Sequence, residues 1–155
     1  MKKVLFMSSL GGHLEQLLAL QPTMDMYDSY IVTENNPSTL KLKDKYKEIY
    51  YLPYISRSSF FSFVFSFVSI FLKSLRLFVK LNPNVIISTG SGCVLPMFIL
   101  GRIFGKKLIF IETFSRIESK TLTGSFCYYL ADVFIVQWKE LKKLYPKAIY
   151  LGSIY

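Results

Sequence analysis

Histidine is almost missing from this sequence: His13 is the only one in 155 residues, and Cys93 and Cys127 are the only cysteines. Neither cysteine sits in a C-x-x-C pair, and the carboxylates are scattered, so no zinc-type constellation can be assembled and no metal is expected. The G-x-G-x-x-G fingerprint, the P-loop and the G-x-S-x-G elbow are also absent, and no cofactor is expected. Two unclustered cysteines read as buried thiols in a reducing compartment. The apolar run Val4 to Met7 breaks at Ser8-Ser9 and is far too short for a secretion signal. Charge is scarce as well, at 19% of residues, and acidic residues are the scarcer sign.

What remains is apolar and basic. Hydrophobic residues make up 52% of the chain and aromatics 17%, with 14 Phe, which excludes disorder and leaves more apolar surface than one core consumes. The length suits one domain. The net charge of +9 points to an anionic partner. Its distribution is uneven: residues 61–155 carry twelve Lys and Arg against four Asp and Glu, while residues 1–60 are nearly balanced. The basic half also holds the most apolar stretch, which fits a membrane surface better than a nucleic-acid groove, and no nucleic acid is expected.

Along the chain, short runs of β-branched and aromatic residues alternate with helical spacing. Strands are expected at 2–8, 29–33, 48–52, 84–88, 107–111, 132–137 and 148–151, and helices at 13–25, 40–47, 94–104, 123–130 and 138–145. Continuously apolar strands separated by helices describe a doubly wound, Rossmann-like parallel α/β sheet covered on both faces. No repeat or linker marks a second domain.

The segment at about 59–80 stands apart. Fifteen uncharged residues, Ser58 to Leu72, fall short of the ~20 needed to cross a bilayer. Ser59, Ser62, Ser66, Ser69, Lys73, Arg76 and Lys80 are spaced three and four apart and form one narrow stripe on an otherwise apolar helix. A helix lying in the membrane interface fits this pattern, with Phe61, Phe65 and Val68 facing lipid and Lys73 and Arg76 near the phosphates. A core helix with its Ser stripe outward is the competing reading, and the abundance of Phe weighs against it.

The candidate chemistry lies in loops that follow strands. Gly11-Gly12-His13 opens the first helix, where glycines admit a close ligand and free N–H groups favour phosphate. Thr89-Gly90-Ser91-Gly92 repeats the device after a later strand. Both loops fall on the carboxyl edge of the sheet, where open α/β sheets bind ligands. Glu112, Ser115 and Arg116 follow another strand on that edge, Glu112 suited to act as base or hydroxyl anchor and Arg116 as an anion clamp. Two tight turns and a surface ion pair would account for the same residues without a ligand. Glu34, Asn35 and Asn36 could meet hydroxyls, and turn chemistry explains them equally well.

Taken in order, S-S-L-G-G-H-L, I-V-T-E-N, V-I-I-S-T-G-S-G-C-V-L-P, F-I-E-T-F-S-R, L-T-G-S-F-C-Y-Y-L-A-D-V-F-I-V-Q-W and Y-P-K-A-I-Y-L-G resemble the family of asparagine-linked glycosylation protein 14 and its bacterial capsular and exopolysaccharide counterparts. The resemblance covers essentially the whole chain. It implies a single domain equivalent to the N-terminal, acceptor-binding half of a GT-B glycosyltransferase, with a separately encoded subunit binding the nucleotide sugar. Carried onto this sequence, Gly11, Gly12 and His13 match the first loop, Thr89 to Gly92 the second, and Glu112 with Arg116 the acceptor-side loop. Ser8, Ser9 and Leu10 stand where the related lipid II enzyme has a longer glycine run. Many relatives of the eukaryotic type carry an N-terminal anchor, whereas here anchoring is expected to fall to the 59–80 helix.

The expected activity is transfer of a hexose from a UDP-sugar to an undecaprenyl-pyrophosphate-linked sugar at the cytoplasmic face of the membrane. His13 or Glu112 is expected to serve the acceptor hydroxyl. A recruitment scaffold without catalytic residues is the alternative, and a basic nucleic-acid-binding domain is a third, which the charge placement disfavours.

Overall fold

The computed structural model of the chain describes residues 1–54 and 60–155, with the side chains of 60, 61 and 63 outside the description. Ser58, Ser59 and the Phe61 side chain, all named above, therefore lie outside the described residues. Seven parallel strands form one sheet in the order β3-β2-β1-β4-β5-β6-β7. They are β1 (Lys3–Met7), β2 (Asp28–Glu34), β3 (Ile49–Leu52), β4 (Val85–Ser88), β5 (Lys107–Ile111), β6 (Val133–Val136) and β7 (Ile149–Tyr150). Register follows the apolar runs: Phe6 lies beside Ile31 on one side and Ile87 on the other.

Because parallel crossovers are right-handed, connections that step in opposite directions along the sheet fall on opposite faces. The chain steps outward from β1 to β3, so α1 (Gly12–Leu18), α2 (Gln21–Met24) and α3 (Pro37–Leu40) cover one face, where Phe6, Leu14, Leu17 and Ile31 form a core. From β3 onward it steps the other way. The helices α4 (Phe60–Leu81), α5 (Leu95–Ile103) and α6 (Leu122–Leu130) therefore cover the second face, over a larger core that includes Ile70, Phe98, Phe110 and Phe134. The direction reverses between β1 and β4, which makes that gap the topological switch point.

Three expected helices take other forms. The one expected over 13–25 breaks into two short pieces, because Pro22 lacks an N–H and can enter only at the start of a new helix. The Lys-rich segment 40–47 gives only a single 3₁₀ turn, Lys41–Asp44, directly after α3, whose capping box is on Asn36. Residues 139–143 likewise form a 3₁₀ turn, with Leu141 buried.

Helix α4 divides its surface between two environments. Ile70, Ser74, Leu77, Phe78 and Leu81 are buried against the sheet, while Phe65, Val68, Leu72 and Val79 face outward. Its Ser62, Ser66 and Ser69 are half-buried at the boundary, and Lys73, Arg76 and Lys80 continue that stripe into solvent. Among the described residues, no helix is long and apolar enough to cross a membrane.

Phe110 sits at the centre of the larger core, stacked on Phe134 at 5.2 Å and edge-on to Phe98 at 5.9 Å, with no exposed surface. Phe110→Ala is expected to remove about 3–5 kcal/mol of stability in a urea titration. A loss under about 1 kcal/mol would place the ring outside the cooperative core.

Candidate functional site

At the switch point the two glycine loops are tied to each other. His13 Nδ1 lies 2.7 Å from the carbonyl oxygen of Thr89, and Thr89 Oγ1 donates back to the carbonyl oxygen of His13 at 2.6 Å. A carbonyl can only accept, so Nδ1 is the donor in this pair, and in the ring's uncharged form Nε2 is the acceptor. Ser9 N–H also donates to the Gly90 carbonyl, and Leu10 N–H donates to Glu34 Oε2 at 3.4 Å. Gly90 has φ 107, and a Cβ on it would sit 2.9 Å from Cε1 and Nδ1 of His13. Only glycine fits there, since the positive φ and the imidazole contact each exclude a side chain.

A cavity of about 500 Å³ opens beside this junction. Its polar wall comprises His13, Gly90, Ser91, Gly92, Arg116, Lys120, Thr121 and Thr123, and Phe67, Leu95 and Leu122 form the apolar wall. Arg116 donates to Ser119 Oγ at 3.1 Å, and among the described residues neither Arg116 nor Lys120 pairs with a carboxylate. The cavity thus offers two cations, a hydroxyl-bearing wall, an imidazole acceptor and an apolar side. That combination suits an anionic ligand with an apolar portion.

The residues singled out from the sequence separate into those that line this cavity and those that stand behind it. His13, Gly90, Ser91, Gly92 and Arg116 line it. Thr89 is fully buried behind it, and Gly11 and Gly12 are exposed on the adjoining turn. Lys73 and Arg76 lie on the outer side of α4, where they border a separate shallow groove of about 400 Å³ with Ser69, Leu72 and Leu77.

Glu112 is only 1% exposed, and its carboxylate is filled by protein donors. Thr113 N–H donates at 2.9 Å, Thr121 Oγ1 at 3.0 Å and Tyr145 OH at 2.9 Å. Thr121 is also the N-cap of α6, accepting from Gly124 N–H at 2.8 Å. Burial, then the neighbouring Glu112 charge, pushes the Tyr145 hydroxyl well above its usual range, which keeps it a donor. Glu112 thereby fastens the 112–121 loop and the start of α6, the elements that carry Arg116 and Lys120.

Sequence reading passed over several of these partners. Lys120 and Thr121 line the cavity, and Gln16 reaches across to the 112–121 loop. Its Oε1 accepts from Phe114 N–H at 3.1 Å and from Gln137 Nε2 at 2.6 Å, which pins that loop to α1. The only available signal was their closeness in sequence to residues already chosen. Cys93 and Cys127 are fully buried, and burial pushes both thiols far up, so neither is a nucleophile.

Residues 4–154 match the family described as Oligosaccharide biosynthesis protein Alg14 like. The chain belongs to this family. It is 28% identical over 179 residues to the UDP-N-acetylglucosamine transferase subunit ALG14 of Mus musculus, covering 98% of this chain and 82% of that protein. The Rattus norvegicus protein of the same name is 30% identical over 177 residues, with 97% and 82% covered. Among solved structures, Acinetobacter baumannii MurG superposes with a TM-score of 0.72 at 18% identity, over 90% of this chain and 43% of that one. Rickettsia bellii UDP-N-acetylglucosamine 2-epimerase gives 0.76 at 14% identity, over 99% and 45%. At such identities the likeness concerns the fold alone. This Alg14-like chain has the Rossmann-like fold of the N-terminal half of a GT-B enzyme, and it spans less than half the length of those solved proteins.

Gly90→Ala is expected to displace the His13 ring and distort both loops while leaving the distant core intact. The amide and imidazole resonances of His13 and Thr89 should shift in a ¹H–¹⁵N spectrum, with those of β6 and β7 unchanged. Unshifted His13 resonances would mean that the loop junction tolerates a Cβ.

Proposed function

We propose that this chain is the acceptor-binding subunit of a two-chain glycosyltransferase in polysaccharide biosynthesis, capsule or exopolysaccharide being the product class. Its cavity takes the diphosphate and first sugar of an undecaprenyl-linked acceptor. A separately encoded subunit brings a UDP-activated hexose to the open edge of the sheet; the curated relatives' names specify UDP-N-acetylglucosamine for those proteins. The chain as a single domain then supplies half an active site, on the cytoplasmic face of the membrane, held there in part by α4.

The observation that carries this reading is the set of groups converging on one cavity. Arg116 and Lys120, neither paired with a carboxylate among the described residues, offer positive charge to a diphosphate, Ser91 and Thr123 supply hydroxyls, and His13 lines the same wall. In the reaction the acceptor hydroxyl oxygen bonds to the anomeric carbon as the bond from that carbon to the UDP oxygen breaks. UDP leaves with the electron pair, and the hydroxyl proton passes to His13 Nε2, whose Nδ1–H is braced by the Thr89 carbonyl. Glu112 takes a positioning role in this scheme, since its oxygens are already filled by Thr113, Thr121 and Tyr145. Gly11 and Gly12 let the acceptor approach the start of α1.

In a reconstituted pair with its partner, His13→Ala is expected to lower kcat by about 10²–10⁴-fold with KM for the lipid acceptor little changed. Arg116→Ala and Lys120→Ala are expected to act mainly on KM. Unchanged turnover in His13→Ala would assign the chemistry wholly to the partner and leave this chain a recruitment module.

A further inference from the structure

The two cations of the cavity are held by neutral groups. Arg116 is fixed by the Ser119 hydroxyl at 3.1 Å, and the Lys120 ammonium lies over the ring of Tyr145, 5.0 Å from its centroid. A hydroxyl or a ring face orients a cation without cancelling its charge, whereas a carboxylate would do both. Two carboxylates stand close in sequence, and neither takes this part. Glu112 is filled by Thr113, Thr121 and Tyr145, and Glu118 forms no ion pair among the described residues.

A lysine over an aromatic ring is by itself an ordinary feature of this chain, since Lys3, Lys43, Lys45, Lys80 and Lys106 each have one as well. None of those five lysines lines the cavity, and Lys120 does. Its ring is also held from every side. Tyr145 has no exposed surface; it packs on Phe134 at 4.6 Å and on Tyr128 at 5.1 Å, and its N–H donates to the Leu141 carbonyl at 2.8 Å. Through Phe134 it joins the stack on Phe110 at the centre of the larger core. Its hydroxyl donates to Glu112 Oε2 at 2.9 Å, so the ring can neither turn nor withdraw from the lysine. Donation to a carboxylate also pushes electron density into a phenol ring, which makes its face a better seat for a cation. Without such a seat, Lys120 would be a flexible four-carbon stem on an exposed loop.

We infer that Tyr145 is a positioning residue of the candidate site: its ring face seats the Lys120 ammonium at the cavity wall with its charge left for an anionic ligand. Tyr145 does not line the cavity, so it acts through Lys120. That the ligand is a diphosphate rests on the acceptor reading proposed above; the seating of Lys120 does not.

The test is calorimetric titration of the full chain with inorganic pyrophosphate. Tyr145→Leu is expected to weaken binding about three- to fivefold, and Tyr145→Phe, which keeps the ring, less than about twofold. In a Lys120→Ala background Tyr145→Leu is expected to have no further effect. Equal losses in Tyr145→Phe and Tyr145→Leu would assign the effect to the hydroxyl on Glu112 and overturn the inference, as would an undiminished Tyr145→Leu loss in the Lys120→Ala background. Because leucine at a core position can unfold the chain, a second measurement uses the parent protein. Nuclear Overhauser contacts are expected between the Lys120 ε-methylene and the Tyr145 ring protons, with the lysine signals identified by their loss in Lys120→Arg. Absence of those contacts would overturn the seating whatever the variants do. A parent chain that shows the contacts and does not bind pyrophosphate would overturn the diphosphate reading alone.

Discussion

The reciprocal pair between His13 and Thr89 is the constraint on which the site depends. Two loops that follow different strands, 76 residues apart, are closed onto each other by two short hydrogen bonds. One of them fixes the tautomer of the single histidine. The pair can form only because β1 and β4 are neighbours at the switch point, and it tolerates only glycine at position 90. Sheet topology, loop composition and imidazole orientation are therefore one arrangement seen at three scales.

Around that junction the buried polar groups hold position and the cavity groups remain open. Glu112, Gln16, Gln137 and Tyr145 are buried and satisfied by one another or by backbone, as buried polar groups must be. They fix the 112–121 loop so that Arg116 and Lys120 are presented from a braced support. This division accounts for the differing positions of the two residues considered for proton transfer. His13 sits at the cavity with one nitrogen committed, while Glu112 stands behind the wall with its carboxylate occupied.

Much of the fold could be read from the sequence because a parallel sheet buries both faces of its strands and leaves uninterrupted apolar runs such as Lys107 to Ile111, recovered with its bounds intact. The glycine loops were legible because a helix start after a strand needs them. Interruptions were harder: Pro22 splits the first helix, and the Lys-rich segment is too short to gain a full helical face. Within the site, His13, Gly90 to Gly92 and Arg116 could be named from motif and edge position. The partners of Glu112 could not, because Tyr145 lies 33 residues away, and Gln16 meets Gln137 across 121 residues. Such pairings depend on which strands become neighbours, and a local pattern does not encode that.

On the proposed reading, this Alg14-like half binds the acceptor and leaves the nucleotide sugar to another chain. Isothermal titration of the chain alone with a short-chain polyprenyl diphosphate sugar and, separately, with UDP-N-acetylglucosamine tests it most directly. Saturable binding of the lipid diphosphate, weakened by loss of Arg116 or Lys120, and no binding of the nucleotide sugar are expected. Binding of UDP-N-acetylglucosamine in the cavity, with none of the lipid diphosphate, would contradict it.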